Sequence, residues 1–342
     1  MKHFIHHIAL IAVAAAVCGC AKTAPKGPNE ANIRYFKAWA EVNYPNAQTT
    51  PFGSIIIEKE DGNGKKIEGD GYLYADYIVT DLVGNVTSST DEETARRLGT
   101  YQNTNYYGPQ IINMSAGVVY KGVAEALEGM HVGGHLKVAI PGWLMTMEDY
   151  ETAEQYESRQ ADSDECIYEF RIKDFVDDVI KWQVDSIGAY FNSHKDVFGG
   201  MTAADTVKNF TGMYYKQLKA PVDTTSFKAD TTVYINYIGR LLNGKVFDTN
   251  IERVAKDNDL YSSSRDYTPA KITWSDSYSD IQMNGSSIIT GFALTLWNMR
   301  PMEKGIGIFT SPYGYNTSGS GSTIPGYSPL LFEIELVEEP ED

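Results

Sequence analysis

The chain is poor in cysteine, in basic residues and in long hydrophobic runs, and each shortage excludes a class of protein. Only three of its 342 residues are cysteines, so no disulfide framework is expected even in an oxidising compartment. Lysine and arginine number 29 against 45 acidic residues, and the net charge of −16 argues against nucleic acid and anionic membrane surfaces as partners. The apolar run Ile8–Val17 is too short to span a bilayer.

The remaining composition is that of a folded protein rich in strands. Hydrophobic residues make up 42% of the chain, which is enough to bury a core, and the length allows about two domains. The 23 tyrosines favour strands with half-exposed faces.

Residues 1–20 have the pattern of a signal peptide, with a positive start at Lys2 and an apolar run after it. The end of this segment, Val17-Cys18-Gly19-Cys20, resembles the cleavage box of bacterial lipoproteins. That resemblance implies cleavage before Cys20 and diacylation of its thiol, which would anchor the protein to a membrane. An ordinary secretory signal with incidental cysteines is the alternative. No acidic cluster follows Cys20, so the expected location is the outer membrane, facing the periplasm.

An internal repeat organises the rest of the chain. Tyr77 and Gly84 recur later as Tyr237 and Gly244, at one common offset and within similar segments. A second set recurs at a slightly larger common offset, in which Gly122, Leu127 and Met130 match Gly291, Leu296 and Met299. The sequence therefore predicts two copies of one mostly-β unit, the second with about nine additional residues after its hairpin.

Two helical segments flank the first copy. One helical face in the stretch before it carries Ile33, Phe36, Trp39 and Ala40, which predicts a helix that docks on the first domain. A helical connector ending near 192–194 is predicted from apolar residues at roughly helical spacing: Phe175, Val179, Trp182, Ile187 and Phe191. The predicted division is signal peptide 1–20, tether and docking helix 21–48, first domain 49–175, connector 176–211 and second domain 212–342.

Two stretches of the first copy contain residue types that can bind metal ions, but we predict a metal site at neither. Residues 61–71 are predicted to form a plain hairpin, because lysines stand where a calcium loop would need further oxygen ligands. His131 and His135 are interpreted as exposed loop histidines, because the two glycines between them argue against a helical metal site. We expect no metal and no cofactor.

Residues 233–249 are predicted to form a hairpin. Asn243-Gly244 is a strong hairpin signal, since both residues tolerate the positive φ of a type I′ turn. Directly after this turn the aromatic Phe247 is followed by the carboxylate Asp248. Taken alone, the pair is interpreted as a core residue beside a solvated one, and a functional role is the alternative.

The second copy continues with a short helix, a strand, a loop and a final strand. The helix is predicted over 293–299, where it would close one side of a curled sheet. A strand over Gly305–Thr310 leads into a loop, 311–321, that is dense in glycine, serine, threonine and tyrosine. The alternation in Leu330–Val337 predicts the last strand.

These segments together resemble the FKBP-type peptidyl-prolyl cis-trans isomerases. The resemblance covers most of the second copy and rests on Tyr237-x-Gly239, Asn243-Gly244-Lys245-Val246-Phe247-Asp248, Ile288-Ile289-x-Gly291-Phe292, Met299, Tyr315, Ile324-Pro325 and Leu330-x-Phe332. It implies an α+β fold of two FKBP-like domains, each a curled antiparallel sheet around a short helix. Two such domains behind a lipoprotein signal resemble envelope isomerases of Gram-negative bacteria.

The same resemblance implies a proline pocket in the second domain. Its walls would be Tyr237, Phe247, Ile288, Tyr315 and Phe332, with Phe292 as the floor. Asp248 would stand at the rim, and Ile324 would also contact the substrate. The backbone N–H of Ile289 would donate to a substrate carbonyl, and the Tyr315 hydroxyl would face the peptide. Prolyl isomerisation breaks no σ bond, so this chemistry needs no nucleophile, metal or acid–base pair.

The second copy departs from the family pattern at a few positions. Phe292 stands where the family usually has Trp, Met302 stands at a turn position that is usually Gly, and Asn316 follows Tyr315 where Gly is common. A further pocket aromatic falls near the insertion at 255–284, and the sequence leaves three candidates open: Tyr267, Ile272 and Trp274.

The first copy departs much further. Thr87 and Ser88 occupy the positions of the Phe-Asp pair, Tyr120 that of the N–H donor, and Val123 that of the aromatic floor. An acidic insert, 141–165, replaces the Tyr-bearing loop. We therefore expect the first domain to lack isomerase activity and to serve folding, docking or dimerisation.

The sequence thus predicts an envelope isomerase that assists the folding of exported, proline-containing polypeptides, with homodimer formation as an open possibility. One alternative is a lipoprotein that keeps the fold and binds polypeptides without catalysis. A weaker alternative, suggested only by the abundance of tyrosine and tryptophan, is a glycan-binding lipoprotein.

Overall fold

The computed structural model describes residues 27–161 and 163–340. The predicted signal segment, Cys20 and the first part of the tether lie outside the described residues. Within these ranges the chain forms two antiparallel sheets, one in each predicted copy of the repeat. One long helix precedes the first sheet, and another connects the two sheets.

The strands and helices of the described residues are as follows. The first sheet contains β1 (Gln48–Thr49), β2 (Ile55–Glu60), β3 (Tyr72–Thr80), β4 (Val86–Ser89), β5 (Gln110–Asn113), β6 (His135–Ile140) and β7 (Cys166–Val176). The second contains β8 (Met213–Lys219), β9 (Thr232–Leu241), β10 (Val246–Thr249), β11 (Ala270–Thr273), β12 (Gln282–Met283), β13 (Ser286–Ser287), β14 (Lys304–Phe309) and β15 (Leu330–Val337). The α-helices are α1 (Glu30–Asn43), α2 (Glu92–Arg97), α3 (Lys121–Leu127), α4 (Ala153–Ser158), α5 (Val179–Ser193), α6 (Lys195–Phe198), α7 (Glu252–Asp257) and α8 (Thr290–Trp297). Short 3₁₀ turns occupy Gly142–Leu144, Tyr278–Asp280 and Ser311–Tyr313.

The central strands of the two sheets have the same order. In the first sheet β2, β6, β7 and β3 are successive neighbours, and both β4 and β5 pair with β3. In the second sheet β8, β14, β15 and β9 are successive neighbours, and both β10 and β11 pair with β9. The register of the central strand pair agrees too. Tyr77 of β3 lies opposite Phe170 of β7, and its counterpart Tyr237 of β9 lies opposite Ile334 of β15. The two sheets therefore share one topology, and the predicted α+β fold class is confirmed.

A short helix packs closely on each sheet. A Cβ atom on Gly122 of α3 would lie 2.3 Å from Cγ2 of Ile140, and one on Gly291 of α8 would lie 2.4 Å from the ring of Phe309. Atoms cannot approach so closely, so a glycine is needed at this point of both helices. The glycine shared by the two copies therefore sets the distance between helix and sheet.

The two long helices, α1 and α5, pack on different domains. α1 buries Phe36 and Ala40 against the first core, and the Phe36 ring lies 5.7 Å from that of Trp143. α5 packs on the outer face of the second sheet, where Ile187 and Phe191 join a buried cluster with residues of β14 and β15. No helix in the described part of the chain has the length and apolar character needed to cross a membrane.

The connector begins later than its apolar pattern suggests. Phe175 belongs to β7 rather than to the helix, so including it in the helical pattern was wrong. α5 begins at Val179, because the Asp178 side chain accepts hydrogen bonds from the backbone N–H groups of Ile180 and Lys181. The predicted end near 192–194 is confirmed, as α5 ends at Ser193.

The β9–β10 turn is not of type I′. Only Gly244 has a positive φ, of 90°, and Asn243 does not share it. The Gly244 N–H donates to the Leu241 carbonyl, and the Leu241 N–H donates to the Lys245 carbonyl, both at 2.9 Å. This geometry is that of a three-residue loop with glycine in the left-handed region, which the Asn-Gly signal alone does not distinguish from the shorter turn.

Two interpretations in the first domain are also wrong. Residues 61–71 form no hairpin, because β6 and β7 lie between β2 and β3. The segment instead follows 130–132, where the Ile67 N–H donates to the Met130 carbonyl at 2.7 Å. The histidines are not exposed loop residues, because both are half-buried and His135 begins β6. His131 Nδ1 lies 2.9 Å from Asp61, and His135 Nε2 lies 3.2 Å from Glu169.

Candidate functional site

A cavity of about 480 Å³ opens in the second domain between the β9–β10 hairpin, the start of α8 and the loop after β14. It is lined by Tyr237, Phe247, Asp248, Met283, Ser287, Ile288, Ile289, Phe292, Tyr315, Ser320, Thr323, Ile324 and Phe332. All nine residues predicted for the pocket therefore lie at one cavity. Their roles in catalysis and binding remain predictions, and the predicted lipidation site, Cys20, lies outside the described residues.

Aromatic rings form the base of this cavity. The Phe332 ring lies 4.9 Å from Phe292 and 5.5 Å from Phe247, and Tyr237 lies 5.7 Å from Phe292. All three contacts are nearly perpendicular, which is a favourable arrangement for aromatic rings. Tyr237, Phe292 and Phe332 are buried, and Phe247 is half-buried. The base of the cavity is therefore a packed set of aromatic rings.

Local backbone geometry explains how Phe247 and Asp248 both reach the cavity. The register between β9 and β10 shifts between Val246 and Asp248, which is a β-bulge at Phe247. Opposite the bulge is Gly239, where a Cβ atom would lie 2.6 Å from the Phe247 ring and 2.9 Å from the Phe332 ring. The missing side chain of Gly239 makes the space in which the Phe247 ring lies.

Three polar side chains form the rim. Asp248 accepts a hydrogen bond from the Tyr237 hydroxyl at 2.8 Å and one from Arg265 Nη1 at 2.7 Å. Arg265 Nη2 also lies 3.0 Å from the Tyr237 hydroxyl oxygen, to which it donates. Burial raises the pKa of Tyr237, and the charge of Asp248 raises it further. Tyr237 therefore stays protonated at neutral pH and holds the carboxylate in one orientation.

The opposite wall is the site loop, which we define as residues 311–328. It begins with the 3₁₀ turn and places Asn316 at a φ of 54°, as expected for a residue that tolerates the left-handed region. The Tyr327 N–H donates to the Asn316 carbonyl, and the Ser320 N–H donates to the Ile324 carbonyl, both at 2.8 Å. Burial raises the pKa of Tyr315, with Asp248 as a further cause, so its hydroxyl is a neutral donor at the cavity.

Ile289 is the N-cap residue of α8, so its backbone N–H lies at the positive end of this helix and beside the cavity. This is the position of a donor for a ligand carbonyl.

The predicted turn difference is also present, because Met302 adopts a φ of 60° where its counterpart in the first copy is Gly133 with a φ of 89°.

Several residues at the cavity were not predicted: Arg265, Met283, Ser287, Ser320 and Thr323. The candidates Tyr267, Ile272 and Trp274 do not line the cavity. Ile272 and Trp274 are buried in the core, and the Tyr267 ring stacks 5.4 Å from Tyr261. A signal for Arg265 did exist, since the tyrosines on either side of it match Tyr101 and Tyr107 at the same offset that relates Tyr77 to Tyr237.

A curled antiparallel sheet, a short helix packed on it and an aromatic cavity beside the helix define an FKBP-type domain. A family model described as FKBP-type peptidyl-prolyl cis-trans isomerase matches residues 223–337. Over 123 residues the chain is 30% identical to FK506-binding protein 1A of Aspergillus fumigatus, a match that covers 36% of this chain and 90% of that protein. The chain belongs to the FKBP-type peptidyl-prolyl cis-trans isomerase family.

Two further similarities are lower in identity. The chain is 25% identical over 160 residues to a probable FKBP-type peptidyl-prolyl cis-trans isomerase of Haemophilus influenzae, which covers 46% of this chain and 56% of that protein. Among solved structures, it is similar to the three FKBP domains of wheat FKBP73, with 13% identity and a TM-score of 0.29 over 83% of this chain and 92% of that one.

Proposed function

We propose that the second domain catalyses cis-trans isomerisation of peptidyl-prolyl bonds in unfolded or exported polypeptides. The observation that carries the proposal is the preformed aromatic cavity whose rim holds an oriented Tyr237–Asp248–Arg265 group, in a chain of this family. At about 480 Å³ the cavity is of a size usual for small-ligand sites and has room for a prolyl ring with part of its neighbours.

The proposed mechanism is differential binding of the twisted imide. The barrier of roughly 18–20 kcal/mol comes from amide resonance. Water stabilises the charge-separated form that contributes to this resonance. Enclosure by Phe247, Phe292 and Phe332 removes the imide from water and so weakens that resonance. The Ile289 N–H and the Tyr315 hydroxyl would fix the flanking carbonyls while the prolyl ring stays in the pocket. The cavity would then bind the twisted state better than either planar isomer.

We propose no isomerase activity for the first domain. It has a cavity at the equivalent place, but Thr87, Ser88 and Val123 line it where the second domain has Phe247, Asp248 and Phe292. A docking or dimerisation role suits such a domain. Lipid attachment at Cys20 and a periplasm-facing location at the outer membrane complete the proposal, and both rest on the sequence pattern alone.

A proline-peptide isomerisation assay tests this function. The wild-type chain should accelerate isomerisation, and Phe247→Ala or Asp248→Val should each lower kcat/KM by about 10- to 100-fold, as expected for losing roughly 1.5–3 kcal/mol of contact. Thr87→Ala, in the first cavity, is the matched control and should leave kcat/KM unchanged.

Absence of wild-type activity above background would reject the enzyme. Retained peptide binding in that case, seen as a tyrosine and tryptophan fluorescence change that Phe247→Ala removes, would favour a non-catalytic polypeptide-binding protein.

A further inference from the structure

One loop of the first domain lies against the second domain's site. We call it the bracing loop, residues 101–107. Asn103 accepts a hydrogen bond from Lys245 Nζ at 2.6 Å through its carbonyl, and its side chain donates to the Asp259 carbonyl at 2.5 Å. The Tyr106 N–H donates to the Ser322 carbonyl at 2.8 Å. The Ser322 hydroxyl donates in turn to Asn105 Oδ1 at 2.6 Å.

These contacts fall on both walls of the cavity. Lys245 lies two residues before Phe247 on the hairpin wall. Ser322 lies in the site loop, between Ser320 and Thr323, which line the cavity. A single loop of the first domain thus contacts the two elements whose separation determines the width of the pocket.

One end of the site loop is held by the connector helix α5, and the other by the first sheet. Gln183 of α5 is fully buried; its amide donates to the Ser311 hydroxyl at 3.0 Å, and its carbonyl oxygen accepts from the Ser311 N–H at 2.7 Å. Buried hydrogen bonds of this kind are costly to break, because each leaves an unsatisfied polar group. At the other end, the Tyr327 ring packs 5.5 Å from that of Tyr72 in β3.

The repeat shows that the bracing loop is the counterpart of the segment that carries Arg265. In the first copy Tyr101 stacks on Tyr107 at 5.2 Å, and the Gln102 N–H donates to the Tyr107 hydroxyl at 3.0 Å. The second copy has the same pair, Tyr261 and Tyr267, with the same type of hydrogen bond from Ser262. Asn105 occupies the position of Arg265. Arg265 acts on its own domain's cavity, whereas Asn105 contacts the cavity loop of the neighbouring domain.

We propose that the first domain is a positioning unit for the isomerase site, with Asn105 as its positioning residue. The site loop contains four glycines, Gly314, Gly319, Gly321 and Gly326, and ordering such a flexible backbone costs conformational entropy. Contacts that order the loop before substrate arrives remove this cost from binding. Tyr315 and Ile324 are then held at the pocket, which deepens the function proposed above and rests on it.

A double-mutant cycle in the full-length chain tests the proposal. Asn105→Ala and Ser322→Ala should each raise KM for a proline peptide about three- to tenfold, with a smaller change in kcat, because the loop must then be ordered on binding. The double variant should be no worse than the worse single variant, since both remove one hydrogen bond. Gln102→Ala, an exposed residue of the same loop, is the matched control and should match wild type.

A second readout does not depend on activity. Amide hydrogen exchange at residues 314–324 should become faster in Asn105→Ala while exchange in β9 and β15 stays as in wild type. Additive effects of the two substitutions on KM, or unchanged KM with unchanged exchange, would overturn the positioning role. If the wild-type chain lacks isomerase activity, the proposed function fails, and the exchange result alone decides whether the first domain orders the site loop.

Discussion

The two domains each have a cavity at the same place in the same fold, and they differ in what lines it. The first cavity has a volume of about 410 Å³ against about 480 Å³ for the second, so available space does not separate them. Tyr77 and Tyr168 remain as counterparts of Tyr237 and Phe332, and the rings of Tyr77 and Tyr168 lie 6.4 Å apart. Among the described residues that line the first cavity, none is a carboxylate or an arginine. The two domains therefore share a backbone fold and a cavity, and a few side chains make the chemical difference between the cavities.

The largest of these differences is a coupled pair of residues. Gly239 pairs with Asp248 and lies beside the Phe247 ring, whereas in the first domain Val79 pairs with Ser88 and Thr87 stands in place of the phenylalanine. Both hairpins carry the same bulge. A side chain at position 239 would overlap the Phe247 ring, whereas Thr87 leaves room for Val79. Glycine and the ring are thus present together in one domain and absent together in the other.

Introducing the first domain's residues at these positions of the second domain should have the largest effect on activity. Gly239→Val should displace the Phe247 ring, lower kcat/KM by roughly 100-fold and destabilise the domain by about 1–3 kcal/mol, as overpacking does. Adding Phe247→Thr, which recreates the pair of the first domain, should restore most of the stability but no activity. Peptide assays and urea unfolding measure both quantities, with Val79→Ala as the control. Full activity of Gly239→Val would show that the Phe247 ring is not needed where it lies.

An intermediate effect is expected at the rim, where the domains differ in Arg265 and its counterpart Asn105. Arg265→Asn frees Asp248 and the Tyr237 hydroxyl from the guanidinium, and it should lower kcat/KM about three- to tenfold because the carboxylate is no longer fixed. The ion pair is more than a third exposed on both sides, so its contribution to stability should stay below about 1 kcal/mol and Tm should barely move.

Arg253→Asn is the matched control, because Arg253 is 90% exposed and pairs only with Asp257 on the same helix among the described contacts. Equal activity losses in the two arginine variants would mean that net charge, rather than the orientation of Asp248, accounts for the effect.

Local pattern was sufficient for much of the fold and for most of the pocket. β9 and β15 show alternating apolar residues, and Phe247 and Asp248 belong to a contiguous motif. Both features depend on neighbours in the sequence, so they can be predicted from one sequence alone. Arg265 reaches Asp248 from a stretch with no regular period, and Met283 comes from a short strand inside an insertion. Asn105 and Gln183 were missed for a stronger reason, since one polar residue that bonds to a segment far away in the sequence leaves no pattern along the chain.

The smallest difference between the cavities concerns how their tyrosines make the free energy of unfolding depend on pH. This difference vanishes near neutral pH. Burial raises the pKa of both Tyr77 and Tyr237. An unfolded tyrosine titrates near pH 10, so below that value both states of the protein keep the proton and stability is fully present. Above it the unfolded state releases protons that the folded state retains, so the free energy of unfolding falls by up to about 1.4 kcal/mol per pH unit for each such tyrosine.

The two tyrosines should differ in how far this loss extends. The charge of Asp248 raises the pKa of Tyr237 further, whereas the Ser88 hydroxyl lowers that of Tyr77, so the slope due to Tyr237 should persist to higher pH. Urea unfolding of Tyr237→Phe and Tyr77→Phe at pH 8, 10 and 11 measures this. Both variants should flatten the alkaline slope relative to wild type, Tyr237→Phe more so at pH 11. Equal slopes in the two variants would mean that Asp248 does not act on Tyr237 in solution, and the oriented rim of the second cavity would then lose its electrostatic basis.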